Sequence, residues 1–245
     1  MNKTFKGAVI REIPTGEKGK LLYVLTENDG VVTVHATGAR NISSSYLKSV
    51  QLFAYSELSV YEKNGHMTLT EATLIENFYG LRSDIFTLAA ASYMSEICAI
   101  VSVPSYDDGI LRLYLNCLFA LSRCLADTDL IKAVFEYRLC VVMGMAPDFS
   151  GCAICEAEGT LYDFDESALF CDECAPVPEL AYRLTKSAVK ALDYLGKCPQ
   201  SKILSFSLTP DDEKIFCDFC EKYLIYAADV KPKSLDFYHE IRKDL

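Results

Sequence analysis

The most specific motif in the sequence is a double cysteine pair: Cys152-Ala153-Ile154-Cys155 is followed after fifteen residues by Cys171-Asp172-Glu173-Cys174. Each Cys-x-x-Cys pair places two sulfurs on one tight turn, and the spacer is long enough for a hairpin that brings the pairs together. Four thiolates satisfy tetrahedral zinc and leave no position for water, so such a site stabilises the chain instead of catalysing a reaction. The spacing predicts one structural zinc ion per chain, bound by Cys152, Cys155, Cys171 and Cys174, or a degenerate former zinc site.

The composition indicates a folded protein with a large core. The chain has 245 residues, of which 51% are hydrophobic, which is enough for one large domain or two to three small ones. The N-terminus lacks the apolar segment of a secretion signal, and no later run reaches the length of a membrane span. Seven further cysteines lie mostly in helix-like apolar segments, where free thiols suit a reducing compartment. We therefore expect a soluble, cytoplasmic protein.

The charge is unevenly distributed along the chain. The net charge of -10 argues against indiscriminate nucleic-acid binding by the whole surface. Residues 1–76 balance eight Lys and Arg against eight Asp and Glu, so the excess of acid lies in the rest of the chain. We expect any polyanion to meet the N-terminal segment first.

The first 76 residues show the pattern of a small β-barrel. Apolar alternation predicts strands over residues 5–13, 21–26, 31–36, 52–61 and 67–75, and the turns Asn28-Asp29-Gly30 and Asn64-Gly65 separate neighbouring strands. Five short strands with one apolar face are typical of a closed or nearly closed barrel such as an OB-fold, although an SH3-like barrel shows much the same pattern.

After Leu81 the apolar residues recur at steps of three and four, which indicates helices. Three are predicted from Ser83 or Asp84 to Val101, from Asp107 or Asp108 to about Ala126, and from Asp129 to Met145. Two more begin at Thr185 and Thr209, and the tail after Lys231 leads into a last helical turn or two. The predicted fold is α+β and multidomain: an OB-fold barrel over 1–80, a helical bundle over 81–149 and 179–245, and a zinc-ribbon-like module inserted over 150–178.

Catalytic motifs are missing from the sequence. It contains no nucleophile elbow, phosphate-binding glycine loop or dinucleotide fingerprint, and its three histidines are far apart. Cys217 and Cys220 form a third Cys-x-x-Cys pair, but it lies in the middle of a predicted helix, where the dipole does not activate a thiol. Core packing is favoured for this pair over metal binding or redox chemistry.

The module around the four cysteines does not have the charge of a nucleic-acid reader. From Leu139 to Tyr182 there is no Lys, Arg or His, whereas nine residues are acidic. A finger that binds nucleic acid needs cations for the phosphates. The module is therefore expected to be structural or to contact a protein.

The barrel is the better candidate for binding single strands, because OB-folds combine a cationic groove with aromatic rings on which bases stack. The candidate cations are Lys6, Arg11, Lys18, Lys20, Arg40 and Lys48. The candidate rings are Tyr23, Tyr46, Phe53, Tyr55 and Tyr61. The alternative for each is that the ring belongs to the core and that the cation is only solvated.

The order of these parts resembles the RecO family of bacterial DNA repair proteins. The resemblance is carried by Thr37-Gly38-Ala39-Arg40, by residues 52–58 (LFAYSEL), by residues 69–72 (LTEA), and by residues 135–139 (FEYRL) with 144–148 (GMAPD). The first cysteine pair and Lys233-Ser234-Leu235 complete it, so that it spans essentially the whole chain.

The resemblance implies a non-enzymatic recombination mediator with a DNA-contacting OB-fold. Such proteins bind single- and double-stranded DNA, anneal complementary strands, contact the single-strand-binding protein and work with RecR to load RecA. They act in the cytoplasm on the nucleoid. Family members dock the apolar, acidic tail of the single-strand-binding protein on the helical domain, for which this chain offers the cations Arg112, Arg123, Lys132 and Arg138.

Two departures from the family pattern support a different hypothesis. Basic residues usually follow the family's Lys-Gly-Ala-Arg loop, whereas Asn41, Ile42 and Ser43 follow it here, and the chain is more acidic than a typical DNA-binding protein. The alternative is a protein-interaction scaffold with little intrinsic affinity for DNA.

Overall fold

The structure is a computed structural model that describes residues 1–41, 45–102, 109–177, 179 and 181–243. Asp107 and Asp108, expected to begin a helix, lie outside the described residues, as do Ile42 and Ser43. The chain forms two compact units, Met1–Leu125 with Pro232–Leu245, and Ala126–Lys231. The division into segments 1–80, 81–149, 150–178 and 179–245 remains a prediction. The two units divide the predicted helical bundle between them, because the chain passes from one unit to the other after Leu125 and again after Lys231.

The first 76 residues form the predicted five-stranded barrel. Its strands are β1 (Asn2–Thr15), β2 (Gly19–Thr26), β3 (Val31–Ala36), β4 (Tyr55–Lys63) and β5 (His66–Glu76). They close in the order β1-β2-β3-β5-β4, and only the β3–β5 pairing is parallel. This arrangement confirms the prediction of an OB-like barrel.

Alternation of side chains builds the barrel core. Val9, Leu22, Val24, Val34 and Leu58 point inward and are completely buried. Gly7 is required where β1 crosses β2, because a Cβ there would lie 2.5 Å from Cγ1 of Val24 and 2.8 Å from the carbonyl oxygen of Leu25. The opposite faces of β1 to β3 are left for solvent and ligands.

Helices dominate the remainder of the described chain. They are α1 (Ile85–Val101), α2 (Gly109–Ser122), α3 (Thr128–Val142), α4 (Lys186–Lys197), α5 (Pro210–Ala228) and α6 (Lys233–Lys243). The predicted N-caps Asp84, Thr185 and Thr209 each accept a hydrogen bond from a backbone N–H of the first turn. No helix among the described residues has both the length and the apolar character needed to cross a bilayer.

In the first unit, α1 packs against α2, α6 and the barrel strand β1. The tail forms an eleven-residue helix and not the predicted turn or two. The reason is that Glu96 of α1 accepts hydrogen bonds from the backbone N–H groups of Lys233 and Ser234, while Tyr238 is buried against the ring of Phe86. These contacts stabilise a helix that is only marginal by its own sequence.

In the second unit, α3 is buried on all sides and packs against α4 and α5. A small sheet of β6 (Leu161–Asp163), β7 (Ala168–Phe170) and β8 (Tyr182–Arg183), in the order β7-β6-β8, carries the four cysteines at its edges. Tyr162 of β6 meets Phe219 of α5 with ring centroids 5.1 Å apart, and Phe149 contacts both rings. This aromatic cluster attaches the cysteine module to the helices.

Candidate metal centre and nucleic-acid interface

The four cysteines of the two pairs meet at one point. Their sulfurs all lie within 4.8 Å of one another, and the Sγ atoms of Cys155 and Cys171 are 3.7 Å apart. Tetrahedral zinc with Zn–S bonds of about 2.3 Å needs sulfurs separated by about 3.8 Å. The quartet therefore has the geometry and the donor set to hold a metal ion, and its four thiolates leave no coordination position for a substrate.

Backbone hydrogen bonds shape both turns of the quartet. The N–H of Glu156 donates to the carbonyl of Cys152 at 2.9 Å, and the N–H of Ala175 donates to the carbonyl of Cys171 at 3.1 Å. The first turn is attached to β7 by the N–H of Ala153, which donates to Leu169 at 2.8 Å. Gly151 allows a close approach, because a Cβ there would lie 2.7 Å from the carbonyl oxygen of Glu156.

The turn geometry also affects the acidity of the thiols. The backbone N–H of Cys155 hydrogen-bonds to the sulfur of Cys152 and, with further N–H groups, lowers the pKa of Cys152 to about 6. The thiol of Cys171 raises the pKa of Cys174 to about 12 through a hydrogen bond. Four sulfurs this close cannot all be ionised without a cation, and a divalent metal supplies the missing charge.

The predicted DNA-binding cations of β1 lie on the outside of the barrel. Arg11 is exposed, pairs in register with Tyr23 of β2, and holds its guanidinium 5.4 Å from the centroid of that ring. Lys6 is exposed opposite Glu57 of β4. An arginine lying over a tyrosine on the outer face of β1 and β2 offers both a charge and a stacking surface.

Two of the predicted cations are brought together by a loop contact. The backbone N–H of Arg40 donates to the carbonyl of Lys18 at 3.0 Å, so the loop after β3, which we call the Arg40 loop, lies against the β1–β2 turn. The loop is held by the hydroxyl of Tyr46, which donates to Thr37, and by Gly38, whose φ of +71° suits glycine. The side chains of Lys18 and Arg40 are both exposed.

The remaining two predicted DNA-binding cations differ in their surroundings. Lys48 is exposed on a short 3-10 helix, Lys48–Val50. Lys20 forms an ion pair with Glu12 at 2.7 Å, and its side chain is only 13% exposed. The charge of Lys20 is thus largely neutralised within the barrel, in contrast to the charges of Lys18 and Arg40.

The candidate rings divide between core and surface. Phe53 is buried, and Tyr46 packs against the barrel core while bonding to Thr37. Tyr55 is partly buried on β4. Tyr23 and Tyr61 present part of their rings to solvent, with Tyr61 48% exposed. The ring of Phe53 therefore belongs to the core and is not available for stacking, whereas the ring of Tyr23 lies beside the predicted cation Arg11.

The four candidate partner-binding cations differ in burial and are divided between the two units. Arg112 and Arg123 are exposed on and just after α2. Lys132 is buried, with its Nζ 2.7 Å from Glu136 and 2.6 Å from Glu221. Arg138 is also buried and donates to the carbonyls of Leu195 and Cys198. Lys132 and Arg138 hold the second unit together, and this placement does not offer them to a partner.

The second unit contains a cavity that the sequence did not indicate. It has a volume of about 730 Å³ and an apolar floor that includes Phe149, Leu169 and Val189. Its lining includes the acidic residues Glu158 and Asp193 and four lysines, which are Lys186, Lys190, Lys197 and Lys202. The signal that could have found it is the spacing of Lys186, Lys190 and Lys197 along one helix, although the floor comes from distant segments.

The third cysteine pair is part of the core of the second unit. Cys220 is completely buried on α5, and Cys217 is half-buried one turn before it. Burial raises the pKa of both thiols well above the ordinary range. A thiol that resists ionisation is a poor nucleophile and a poor metal ligand, which agrees with core packing.

Known proteins with similar sequences cover nearly the whole chain. The family model described as recombination protein O N terminal matches residues 1–78, and recombination protein O C terminal matches residues 82–236. The DNA repair protein RecO of Acetivibrio thermocellus is 28% identical over 235 residues, which are 94% of this chain and 94% of that protein. The DNA repair protein RecO of Halalkalibacterium halodurans is 23% identical over 239 residues, covering 96% and 94% of the two chains.

Proposed function

The chain belongs to the RecO family of DNA repair and recombination proteins, which are non-enzymatic mediators, and we propose that it acts as follows. It binds single- and double-stranded DNA through the barrel, anneals complementary strands, and with RecR helps to load RecA on DNA covered by single-strand-binding protein. Its place of action is the cytoplasm, at the nucleoid. The zinc ion in the cysteine quartet is structural.

The observation that carries the DNA-binding proposal is the contact between the Arg40 loop and the β1–β2 turn. It sets the exposed side chains of Lys18 and Arg40 at one end of the barrel. Arg11 and Tyr23 continue the surface along the outer face of β1 and β2. OB-folds bind oligonucleotides on the face of strands 2 and 3 and on the loop between strands 1 and 2, and here Tyr23 lies on β2 and Lys18 in the β1–β2 turn.

The alternative, a scaffold with little affinity for DNA, also has an observation behind it. The ion pair of Lys20 with Glu12 and the position of Lys6 opposite Glu57 reduce the positive potential of the barrel. A scaffold would recruit partners through the acidic second unit and reach DNA only within a complex.

An anisotropy titration with a labelled oligonucleotide separates the two functions. A mediator that grips DNA itself binds the oligonucleotide without RecR, and its affinity falls steeply as salt rises. A scaffold leaves the anisotropy unchanged until RecR is added. Binding that appears only with RecR therefore rejects the first proposal in favour of the second.

We further propose that the lysine-lined cavity receives the acidic, apolar tail of the single-strand-binding protein. An apolar floor suits the side chains of such a tail, and Lys186, Lys190, Lys197 and Lys202 suit its carboxylates. Lys186 already pairs with Glu158 and Lys197 with Asp193, but these pairs are exposed and weak enough to exchange partners. Of the four cations that the sequence predicts for this contact, Arg112 and Arg123 are exposed, whereas Lys132 and Arg138 are buried.

A further inference from the structure

An exposed surface of the first unit outside the barrel has the features of a nucleic-acid contact. It consists of the 3-10 helix Tyr79–Arg82 and the exposed side of α2, and we call it the η–α2 face. Tyr79 is 71% exposed and Phe119 is 45% exposed, so both residues present a large part of their rings to solvent. Two such rings on neighbouring elements point to a ligand.

Each exposed ring of the η–α2 face is accompanied by an arginine. The guanidinium of Arg82 lies 5.6 Å from the centroid of Tyr79, and that of Arg123 lies 5.7 Å from the centroid of Phe119. Arg82 is fixed in place, because it donates to the carbonyl of Leu52 at 2.9 Å. A ring beside a fixed guanidinium provides a flat apolar surface and a positive charge a few ångströms apart, which is the combination that stacked bases and their phosphates require.

The two elements are joined by a close backbone contact. A Cβ on Gly80 would lie 2.0 Å from the carbonyl oxygen of Ser122, so only glycine allows the 3-10 helix to lie against the end of α2. Tyr79 and Phe119 thus flank a rigid junction. A preformed junction holds both platforms without an ordering cost on binding.

The side of α2 that continues from this junction is cationic. Arg112, Asn116, Phe119 and Arg123 are exposed at steps of four, three and four residues, a stripe about 16 Å long. From Gly109 to Ala126 the sequence contains no Asp or Glu, in a chain whose net charge is -10. The nearest acids in sequence to Tyr79, Glu76 and Asp84, already accept hydrogen bonds from backbone N–H groups.

We propose that the η–α2 face is a second contact for single-stranded nucleic acid, on which bases stack against Tyr79 and Phe119 while Arg82, Arg112 and Arg123 meet the phosphates. The inference rests on the proposed DNA-binding function and extends it beyond the barrel. A polyanion with flat bases fits the face better than an acidic peptide does, because the face presents flat rings to solvent beside its cations. Arg112 and Arg123 then serve DNA and not a protein tail.

The test uses substitutions of exposed rings, which leave the core intact. The double variant Tyr79→Ala, Phe119→Ala is compared with Phe237→Ala, which removes a ring that is 51% exposed on α6 of the same unit. Loss of stacking on two platforms is expected to weaken binding of a labelled oligothymidine by about 5- to 150-fold for each base lost, while Phe237→Ala binds like the unchanged protein.

A second measurement reports stacking directly. The chain contains no tryptophan, so Tyr79→Trp and Phe119→Trp each introduce a single indole. Oligothymidine is expected to quench that fluorescence, whereas the indole of Phe237→Trp is expected to be unaffected. Undiminished affinity of the double alanine variant together with unquenched indoles overturns the inference and leaves the barrel site standing.

The two remaining outcomes are also decisive. If an acidic peptide, but not the oligonucleotide, changes the emission of the indole introduced by Tyr79→Trp or Phe119→Trp, the inference is overturned and the face is a protein-docking surface. Failure of the unchanged protein to bind the oligonucleotide, with or without RecR, overturns both this inference and the proposed function.

Discussion

Replacing Lys132 by Met should strongly destabilise the second unit, because it leaves a buried carboxylate without its cation. Lys132 is 5% exposed and its Nζ lies 2.7 Å from Glu136, whose side chain is completely buried. Its other partner, Glu221, is 20% exposed and keeps part of its hydration. Removing one member of a buried ion pair costs about 3–5 kcal/mol, and Glu136 should account for most of that loss.

The expected loss corresponds to a fall in Tm of about 6 to 20 °C for a protein of this size. Thermal unfolding followed by circular dichroism measures it. Lys197→Met is the matched control, because its side chain is 64% exposed in a helical pair with Asp193, and exposed pairs of this kind contribute little to stability. The double variant Lys132→Met, Glu136→Leu should recover most of the lost stability, since it removes the stranded charge as well.

The deficit of Lys132→Met should also depend on pH. In the unchanged protein, burial opposes the charge of Lys132, but Glu136 and Glu221 outweigh burial and raise the pKa of Lys132. Without Lys132 the Glu136 carboxyl can escape the penalty by taking up a proton, so the deficit should be smaller at pH 5 than at pH 8. A Tm equal to that of the unchanged protein at both pH values would refute the internal role of Lys132. Lys132 would then again be a candidate for binding a partner at the surface.

Three other sets of contacts give further predictions. Elemental analysis should find one zinc per chain in the unchanged protein and none in Cys155→Ser. The zinc should be retained less well as the pH falls, because protons compete for the thiolates. A metal-free and fully folded protein contradicts the site. A labelled acidic peptide with an apolar carboxyl end should bind more weakly to Lys190→Ala, Lys197→Ala than to the exposed-lysine control Lys214→Ala; equal affinities would place the tail elsewhere. Burial opposes the charge of Glu96, but hydrogen bonds from Ser234 outweigh burial and lower the pKa of Glu96. The ionised Glu96 carboxylate therefore stabilises the fold above the pKa of about 4.5 that the group has in the unfolded chain, and this stabilisation is lost as the pH falls below the pKa in the folded chain. The Tm difference between the unchanged protein and Glu96→Gln should therefore shrink in acid, and a difference independent of pH would exclude Glu96 as the cause.

Features with local signals could be predicted from the sequence. The barrel strands follow from alternation over a few residues and from turns such as Asn28-Asp29-Gly30, and both signals are contained in one hairpin. The cysteine quartet follows from two short motifs and one spacer length. In each case the residues that determine the structure are close together in the chain.

Features that depend on distant residues could not be predicted in the same way. Lys132 has the sequence context of a surface cation on a helix, but α5 brings Glu221, 89 residues later, to its side chain. The lysine-lined cavity needs α4 to lie beside Phe149 and Leu169. The length of α6 depends on Glu96, which is 138 residues away from Ser234. Tertiary packing decides these cases, and it leaves no periodic trace in the sequence.

We propose above that the barrel itself binds DNA through the junction of the Arg40 loop and the β1–β2 turn. The most direct measurement is the salt dependence of oligonucleotide affinity for Lys18→Ala, Arg40→Ala, with Lys20 retained because it pairs with Glu12. If both cations contact phosphates of a single strand, the slope of log K against log salt should decrease in magnitude by about 1.4 relative to the unchanged protein, and the affinity should fall. An unchanged slope and affinity, matching the control Lys214→Ala, would contradict DNA binding at this junction.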